Sequence, residues 1–473
     1  MTHAMAPLEA FLAQSRPRDK EESKMTPKVG NSWVLPALVL LSALVVGCGS
    51  KPAGDAPLAS DADCKSGRAW IDNPSQPAGS KFDPNSNCSF HQWSYQTFLW
   101  LVSKDPMGEG ALVFEGFADP KNLLRPGGPG DTPYPGRAAG DSPTMLARMA
   151  KSRTTADIDN IFQAGPGNKA LIDQAGNIVY YSNHLNQQYW DFAIEKQLYD
   201  VEVLNRIDPG LDFPVDGLEL KSSWRIAQIG DQVPIIPDAE KRYFVVSAHV
   251  PRVAPNEKGI LVEDKKNRIA AKMALIGMHV VGIVKGHKEF IWATFEHVDN
   301  APNCADIPPK NAEGKTWNLY DGKASRATAN QFNVGDPMAV VNVCLTHPDG
   351  GGTNENKSAI QTLNASVQAL LGDSLWSNYT LGGAVWTSGQ VPVNNGAFTP
   401  ADIAAGKPTQ LGSIDLANTT METFTQDQNC FACHNGGAHE LVVGGQATEV
   451  KPKIINLSHF VVNYQATQQV AGN

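Results

Sequence analysis

The most restrictive feature of the sequence is the motif Cys430-Phe431-Ala432-Cys433-His434, close to its end. This C-x-x-C-H spacing attaches a c-type haem, because two thiols add to the haem vinyl groups and the adjacent histidine lies beneath the iron. The motif therefore predicts one covalent haem c. Cys430 and Cys433 would bind the porphyrin, and His434 would be the proximal iron ligand.

Two other interpretations of the motif are a thioredoxin-like redox pair and half of a zinc site. A thioredoxin motif opens a helix after a strand in a βαβ unit, and the sequence predicts no such unit around residues 430–434. A structural zinc site needs a second C-x-x-C or H-x-H pair, and the sequence has none. Both comparisons favour the haem.

The N-terminal region contains an apolar run, residues 34–47, of the length expected for the core of a signal peptide. Lys24 and Lys28 precede it, and Cys48 follows it directly. This arrangement resembles a bacterial lipobox and predicts cleavage before Cys48, which would then carry the lipid. The other interpretations are an ordinary signal peptide or a buried helix that contains a cysteine.

These features divide the chain into four segments. Residues 1–47 are predicted to be a leader with a lipoprotein signal peptide, in which Met25 makes a more natural start than Met1. Residues 48–63, rich in Ala, Gly, Pro and Ser, read as a flexible tether. Residues 64–412 form an α+β body, and residues 413–473 form the haem-attachment segment packed on it. Because Gly49 rather than Asp follows Cys48, the anchor is expected in the outer membrane, facing the periplasm.

Four cysteines lie outside the haem motif and the lipobox: Cys64, Cys88, Cys304 and Cys344. An even number in an oxidising compartment predicts two disulfides, with three possible pairings. Proximity along the chain favours Cys64–Cys88 and Cys304–Cys344. The alternative is that these are buried thiols.

Composition excludes some classes of protein. Hydrophobic residues make up 42% of the chain, which suffices for a large buried core. The net charge is −9, whereas a nucleic-acid-binding surface needs a basic face, so no nucleic-acid partner is expected. The 42 Gly and 32 Pro favour long loops over a helical bundle.

Hydrophobic periodicity predicts an α+β fold with an antiparallel β-rich body, a sandwich or partial barrel, with peripheral helices and long loops. Alternating runs predict strands at 217–227, 242–250, 273–285 and 288–298. A hairpin is predicted at 170–181. Helical patterns occur at 89–104, 183–204, 356–371 and 418–426, and residues 376–386 read as irregular.

The sixth iron ligand is not evident from the sequence. No Met follows His434, and the 39 residues after it are too few for an ordinary small cytochrome c domain that begins at the motif. The ligand would therefore come from upstream or from a C-terminal histidine. The candidates are Met421, His439, His459, His297 and His279, and a vacant sixth position also remains open.

His297 and Glu296, at the end of a predicted strand, are candidate acid–base residues over an open iron face. The alternative for His297 is a hydrogen-bonded structural histidine at the edge of the sheet. The sequence leaves open whether the protein is an enzyme.

Four further sequence segments are informative: residues 171–177 followed by Tyr180, and residues 214–225, 292–300 and 418–424. With the C-x-x-C-H motif they resemble a family of exported bacterial cytochrome c-like lipoproteins, over a region from about Cys88 to Val461. The resemblance implies one covalent haem on an atypical scaffold, with His434 as proximal ligand. It implies no substrate.

The function predicted from these features is electron transfer in the periplasm, with a redox partner protein or a small-molecule acceptor. The protein would be anchored to the membrane by the lipid at its N-terminus. The alternative is a haem enzyme, a peroxidase or an oxygen-dependent oxidoreductase, with an open distal face. A ligand-sensing haem lipoprotein is a third hypothesis.

Overall fold

An antiparallel sheet supports the part of the chain that the computed structural model describes: residues 64–80, 82–83, 86–106, 110–120, 123, 134, 163–165, 169–257, 259–308, 315–392, 410–428, 430–443 and 446–458. Its seven strands are β1 (Tyr180–Leu185), β2 (Leu218–Ile229), β3 (Val245–Pro255), β4 (Leu261–Val284), β5 (His287–His297), β6 (Tyr379–Thr387) and β7 (Gln410–Gly412). Their spatial order is β1-β2-β4-β5-β6-β7, with β3 also paired to β4. The predicted α+β, β-rich class is confirmed, and the sheet is not closed.

Strand β4, with 24 residues, is the central element of the sheet. One edge pairs with β2, and the other pairs first with β3 and then, from Gly277 onward, with β5. Gly286 lies in the turn to β5 at a φ of 87°, a backbone conformation that favours glycine. The outer strand β3 carries Pro251 and Pro255, which is typical of an edge strand because proline has no N–H to donate.

Strand β6 was not predicted; the sequence reads as irregular there because Gly382-Gly383 interrupts the apolar run. Both glycines have a packing reason. A Cβ at Gly382 would lie 3.0 Å from Thr294 Cγ2, and one at Gly383 would clash with the Ser413 side chain. Glycine in a strand marks such close approaches, so the signal that suggested a loop reflects contact with neighbouring chain segments.

Two long helices cover one face of the sheet, α2 (Asn87–Leu101) and α5 (Asn354–Leu371). From α2, Phe90 stacks on Trp386 with ring centroids 3.8 Å apart, and Phe98 stacks on Phe295 at 4.1 Å. Aromatic pairs of this kind contribute about 1 kcal/mol each beyond the area they bury. Both helices agree with the predicted ranges to within a few residues, and Ser86 caps α2 by accepting from the N–H of Ser89.

The opposite face carries the C-terminal segment and shorter helices. In the predicted helix 183–204, the chain instead forms the end of β1, then α3 (Gln187–Glu195) and α4 (Val201–Arg206). Asn186 causes the change, because its Oδ1 accepts from the N–H of Tyr189 at 3.1 Å and caps α3. A further one-turn helix, α1 (Ala69–Asp72), lies near the start of the described chain.

The predicted helix 418–426 is wrong. Only one helical turn forms, in which the N–H of Glu422 donates to the carbonyl of Asn418 at 2.8 Å. The Glu422 carboxylate accepts from the N–H of Asn418 at 3.0 Å, as in a capping box. Asn418 also donates to Thr294 of the sheet at 2.8 Å, and this tertiary contact holds the segment in a series of turns.

Both predicted disulfides are present, Cys64–Cys88 and Cys304–Cys344, with sequence separations of 24 and 40 residues. In the loop-entropy model, closing loops of this length stabilises a fold by about 3–4 kcal/mol each. The first joins the start of the described chain to α2, and the second closes the loop region after β5.

Candidate functional site

The C-x-x-C-H motif forms a single helical turn, α6 (Cys430–Cys433). Residues three apart lie on one side of a helix, so both thiols face the same way. They are half-buried. The N–H of His434 donates to the carbonyl of Cys430 at 2.8 Å, which continues the turn and fixes the histidine next to the two thiols.

His434 is oriented by a backbone carbonyl from further along the chain. Its Nδ1 lies 3.0 Å from the carbonyl oxygen of Leu457. Because a carbonyl can only accept a hydrogen bond, Nδ1 carries the proton, and the lone pair of the neutral ring is on Nε2. Histidines that ligate metals are held in this way, since the second nitrogen fixes the tautomer and the ring orientation.

The carbonyl of Leu457 ends a short 3₁₀ turn, Ile454–Leu457, which is held by two buried polar side chains. Asn456 donates from Nδ2 to the carbonyls of Gly437 at 3.0 Å and Lys451 at 3.1 Å. Ser458 donates from Oγ to Glu219 of strand β2 at 2.8 Å. The acceptor for His434 is therefore anchored both to the motif's own loop and to the sheet.

Alternate residues of strand β5 carry the C-terminal segment. Trp292 lies beneath His434, with ring centroids 4.2 Å apart, and also contacts Phe431. Two residues further on, Thr294 accepts from Asn418, and Glu296 accepts from the N–H of Thr419 at 2.7 Å. Side chains two residues apart lie on the same face of a strand. One row of alternate β5 side chains therefore contacts both the motif and the turns before it.

Gly277 of strand β4 permits this docking. A Cβ there would lie 2.7 Å from Ser223 Oγ, 2.9 Å from Thr420 Oγ1 and 3.1 Å from Asn418 Nδ2. The turn at 418–420 therefore sits directly on the backbone of the sheet. Any larger residue at this position would displace it.

Glu219 and Glu296 are carboxyl groups with altered acidity on this face. Burial raises the pKa of each to about 7, while the hydrogen bonds from Ser458 and Thr419 act in the opposite direction. Glu219 belongs to no recognisable sequence motif. The signal in the sequence is a glutamate two residues before Lys221 in a strand with alternating apolar residues.

A histidine–carboxylate pair lies on the same face. His279 Nδ1 is 2.9 Å from Thr294 Oγ1, and His279 Nε2 is 3.2 Å from the carboxylate of Glu422. His279 is opposite Thr294 in the β4–β5 pairing, and the residue two further along β4 is opposite Trp292. His279, one of the sixth-ligand candidates within the described residues, is therefore close to the row of β5 side chains that supports His434.

His297 and Glu296 do not form a joint acid–base pair, because successive strand residues point to opposite faces. His297 is buried and stacks on Tyr243 at 3.9 Å. Its Nε2 donates to the carbonyl of Arg242 at 3.0 Å, and its Nδ1 accepts from the N–H of Asp299 at 3.1 Å. Burial lowers its pKa to about 4. These contacts match the alternative interpretation of His297 as a hydrogen-bonded structural histidine.

The remaining predicted ligands are placed as follows. Met421 is fully buried and packs in a cluster with Ile276 and Val343, separate from the cluster that contains Phe431. His439 begins strand β8 (His439–Val443), which pairs with β9 (Gln446–Val450). His459 and Cys48 lie outside the described residues.

A cleft of about 430 Å³ opens beside the motif. Its walls are largely apolar, with Val391 and Ile454 next to Gly436, and two lysines line it. Lys288 pairs with Asp212 at 2.5 Å, and the ammonium group of buried Lys453 donates to the carbonyl of Leu204. Burial lowers the pKa of Lys453.

Comparison of the chain with protein-family models, curated proteins and solved structures finds no match. Within the described residues, no three or more His, Cys, Asp or Glu side chains are grouped as ligands of a metal ion. A haem iron takes four ligands from the porphyrin, so one protein histidine suffices. No helix in the described part of the chain has the length and apolarity to cross a bilayer.

Proposed function

We propose that this protein is an exported c-type haemoprotein that transfers electrons through one haem c, attached at Cys430 and Cys433, with His434 as proximal ligand. The observation that carries the proposal is the hydrogen bond from His434 Nδ1 to Leu457. It fixes the tautomer that an iron ligand needs, in the residue that follows the two thiols. When bound, haem c supplies a one-electron iron couple.

The residues around the motif suit this group. The two half-buried thiols lie on one side of α6, as two thioether bonds to a single porphyrin require. The neighbouring cleft has largely apolar walls. Such a lining suits an apolar macrocycle. Trp292 packs on the imidazole and restricts its rotation.

Export and lipid anchoring belong to the same proposal. Covalent haem attachment and disulfides both belong to oxidising compartments, and the described residues contain two disulfides. The lipobox-like sequence supports a lipid anchor at Cys48, and Gly49 after it supports the outer membrane, facing the periplasm. The resemblance to exported cytochrome c-like lipoproteins supports the same location. A net charge of −9 suits a redox partner with a basic docking face, and a small-molecule acceptor is the other option.

The test is expression together with the c-type maturation machinery, followed by oxidised and reduced absorption spectra. We expect haem that resists extraction with acidified acetone. The double variant Cys430→Ala/Cys433→Ala should lose all of this haem, whereas Ala432→Ser, between the two thiols, should keep it. A haem-free wild-type protein, or covalent haem in the double variant, would refute the proposal.

A haem enzyme is the second candidate, and the His279–Glu422 pair, on the same face of the sheet as the motif, favours it. Both side chains are partly exposed, at 18% and 16%, and a histidine hydrogen-bonded to a carboxylate can relay protons. This function predicts a high-spin spectrum that shifts with carbon monoxide or peroxide, and a slower peroxide reaction in His279→Gln. Electron transfer predicts a low-spin spectrum that carbon monoxide leaves unchanged.

A further inference from the structure

We propose that Glu219 is a redox-linked proton site, which binds a proton when the haem is reduced and releases it on oxidation. The inference rests on the proposed haem at residues 430–434. One electron comes from a donor protein, and one proton passes from hydronium in the solvent to the Glu219 carboxylate. An O–H bond of hydronium breaks and leaves water, and the O–H bond of the Glu219 carboxylic acid forms.

The sheet places Glu219 close to the proximal histidine. Glu219 is opposite Val281 in the β2–β4 pairing, and Val281 is opposite Trp292 in the β4–β5 pairing. Residues opposite one another share a face, and neighbouring strands are about 4.8 Å apart, so Glu219 and Trp292 are separated by about 10 Å. Trp292 in turn contacts the His434 ring.

A second connection runs through the C-terminal segment. Glu219 Oε2 accepts from Ser458 Oγ at 2.8 Å, and Ser458 directly follows Leu457, the hydrogen-bond acceptor of His434. Ser458 and Leu457 are fully buried. The carboxyl group is therefore part of the support of the proximal ligand without contacting the ligand itself.

The charges around Glu219 allow its protonation to respond to the haem. Lys221, on the same strand, favours the carboxylate, and so does the hydrogen bond from Ser458, whereas burial disfavours it. Tyr189 of α3 also faces this group, and burial raises its pKa well above the ordinary value, so the phenol stays neutral. On the β1 side the neighbour is apolar, Leu185.

Reduction removes one positive charge from the haem centre. In a low-dielectric interior, losing a positive charge at this distance destabilises a carboxylate and raises its pKa. The pKa of Glu219 is already about 7 through burial, so the change would occur near neutral pH. Electron uptake and proton uptake then favour each other.

The test is a potentiometric titration of the haem-loaded protein between pH 5 and pH 9. For one proton per electron, the affinity for the electron falls tenfold per pH unit, which is about 59 mV. We expect a slope approaching this value near neutral pH in the wild type and a flat profile in Glu219→Gln. Glu240→Gln removes an exposed carboxylate paired with Lys272 and should keep the slope.

Ser458→Ala provides a second readout, which a purely structural role would not produce. It removes a hydrogen bond that favours the carboxylate, so the sloping region should move to higher pH. Three outcomes would overturn this inference alone. The first is covalent haem with a pH-independent potential, and the second is a slope that survives in Glu219→Gln. The third is a slope that Glu296→Gln abolishes instead. Absence of covalent haem would overturn the proposed function and this inference together.

Discussion

The Nδ1 atom of His434 lies 3.0 Å from the carbonyl oxygen of Leu457, a residue 23 positions further along the chain. The contact ties the motif to the turn that precedes Ser458, and through Ser458 to strand β2. The C-x-x-C-H motif is therefore not an independent structural unit. Its histidine is oriented by a segment that the sheet itself holds.

Asn456→Ala should weaken this arrangement. The variant removes the hydrogen bonds to Gly437 and Lys451 and leaves two carbonyl groups without their donor. We expect the free energy of unfolding to fall by about 2 kcal/mol, measured by urea denaturation. Because Leu457 would shift, the midpoint potential of the bound haem should change as well.

Asn267→Ala is the matched control. Asn267 also donates from its side chain, to Asp264, but on the exposed surface of the molecule. Its removal should change stability by less than about 0.5 kcal/mol and leave the potential unchanged. Equal effects of the two substitutions would show that the turn at Asn456 has no special role.

Gly277→Ala should detach the turn at 418–420 from the sheet. The added methyl group would lie within 3.1 Å of three polar side-chain atoms, and insertion of a methyl group into such packing costs about 1–3 kcal/mol. Gly335→Ala is the control, because its Cβ would meet no atom closer than 3.5 Å. Thermal unfolding of the two variants checks the prediction, which fails if they melt at the same temperature.

Sequence reasoning succeeded where one local signal determines the outcome. The alternating runs predicted strands β2, β3 and β5 and the second half of β4, which begins at Leu261 rather than at residue 273, and proximity along the chain identified both disulfides. It failed at residues 418–426, whose helical pattern is overridden by the bond from Asn418 to Thr294, and at β6, whose glycines serve contacts with distant residues. Both errors come from tertiary contacts that periodicity does not encode.

The candidate site shows the same limit. The motif itself is readable, because its chemistry depends on spacing within five residues. The groups that support it, Leu457, Ser458 and Glu219, are brought together from the C-terminal segment and from strand β2, more than 200 residues apart. A backbone carbonyl acceptor in particular leaves no trace in residue identity. His297 conversely had the right type for a ligand, but its nitrogens bind backbone groups.

His297 should make the fold less stable in acid. Burial lowers its pKa in the folded state to about 4, against about 6.5 in the unfolded chain. Between these values the unfolded state binds a proton that the native state lacks. The stability that depends on a neutral His297 is therefore complete above pH 6.5 and is lost as pH falls towards 4. At pH 5 the loss is about 2 kcal/mol.

Urea denaturation of His297→Gln at pH 5.0 and pH 7.5 tests this. The stability difference between the two pH values should shift by about 2 kcal/mol relative to the wild type. His249→Gln, which removes an exposed histidine of β3, should leave the difference as it is. An unchanged difference in His297→Gln would mean that the buried ring does not control acid sensitivity.

The neighbouring Glu296 should have an effect of the opposite sign. Its folded-state pKa is raised by burial to about 7, above the ordinary value of 4.5, so the native state holds a proton that the unfolded state releases. Its contribution is complete below pH 4.5 and is lost as pH rises through 7. Glu296→Gln should therefore gain stability relative to the wild type between pH 5 and pH 8, by about 2–3 kcal/mol. Glu219→Gln should show the same sign, because burial raises the Glu219 pKa in the same way. If Glu296→Gln instead followed the direction of His297→Gln, burial would not be what raises the pKa of the Glu296 carboxyl group.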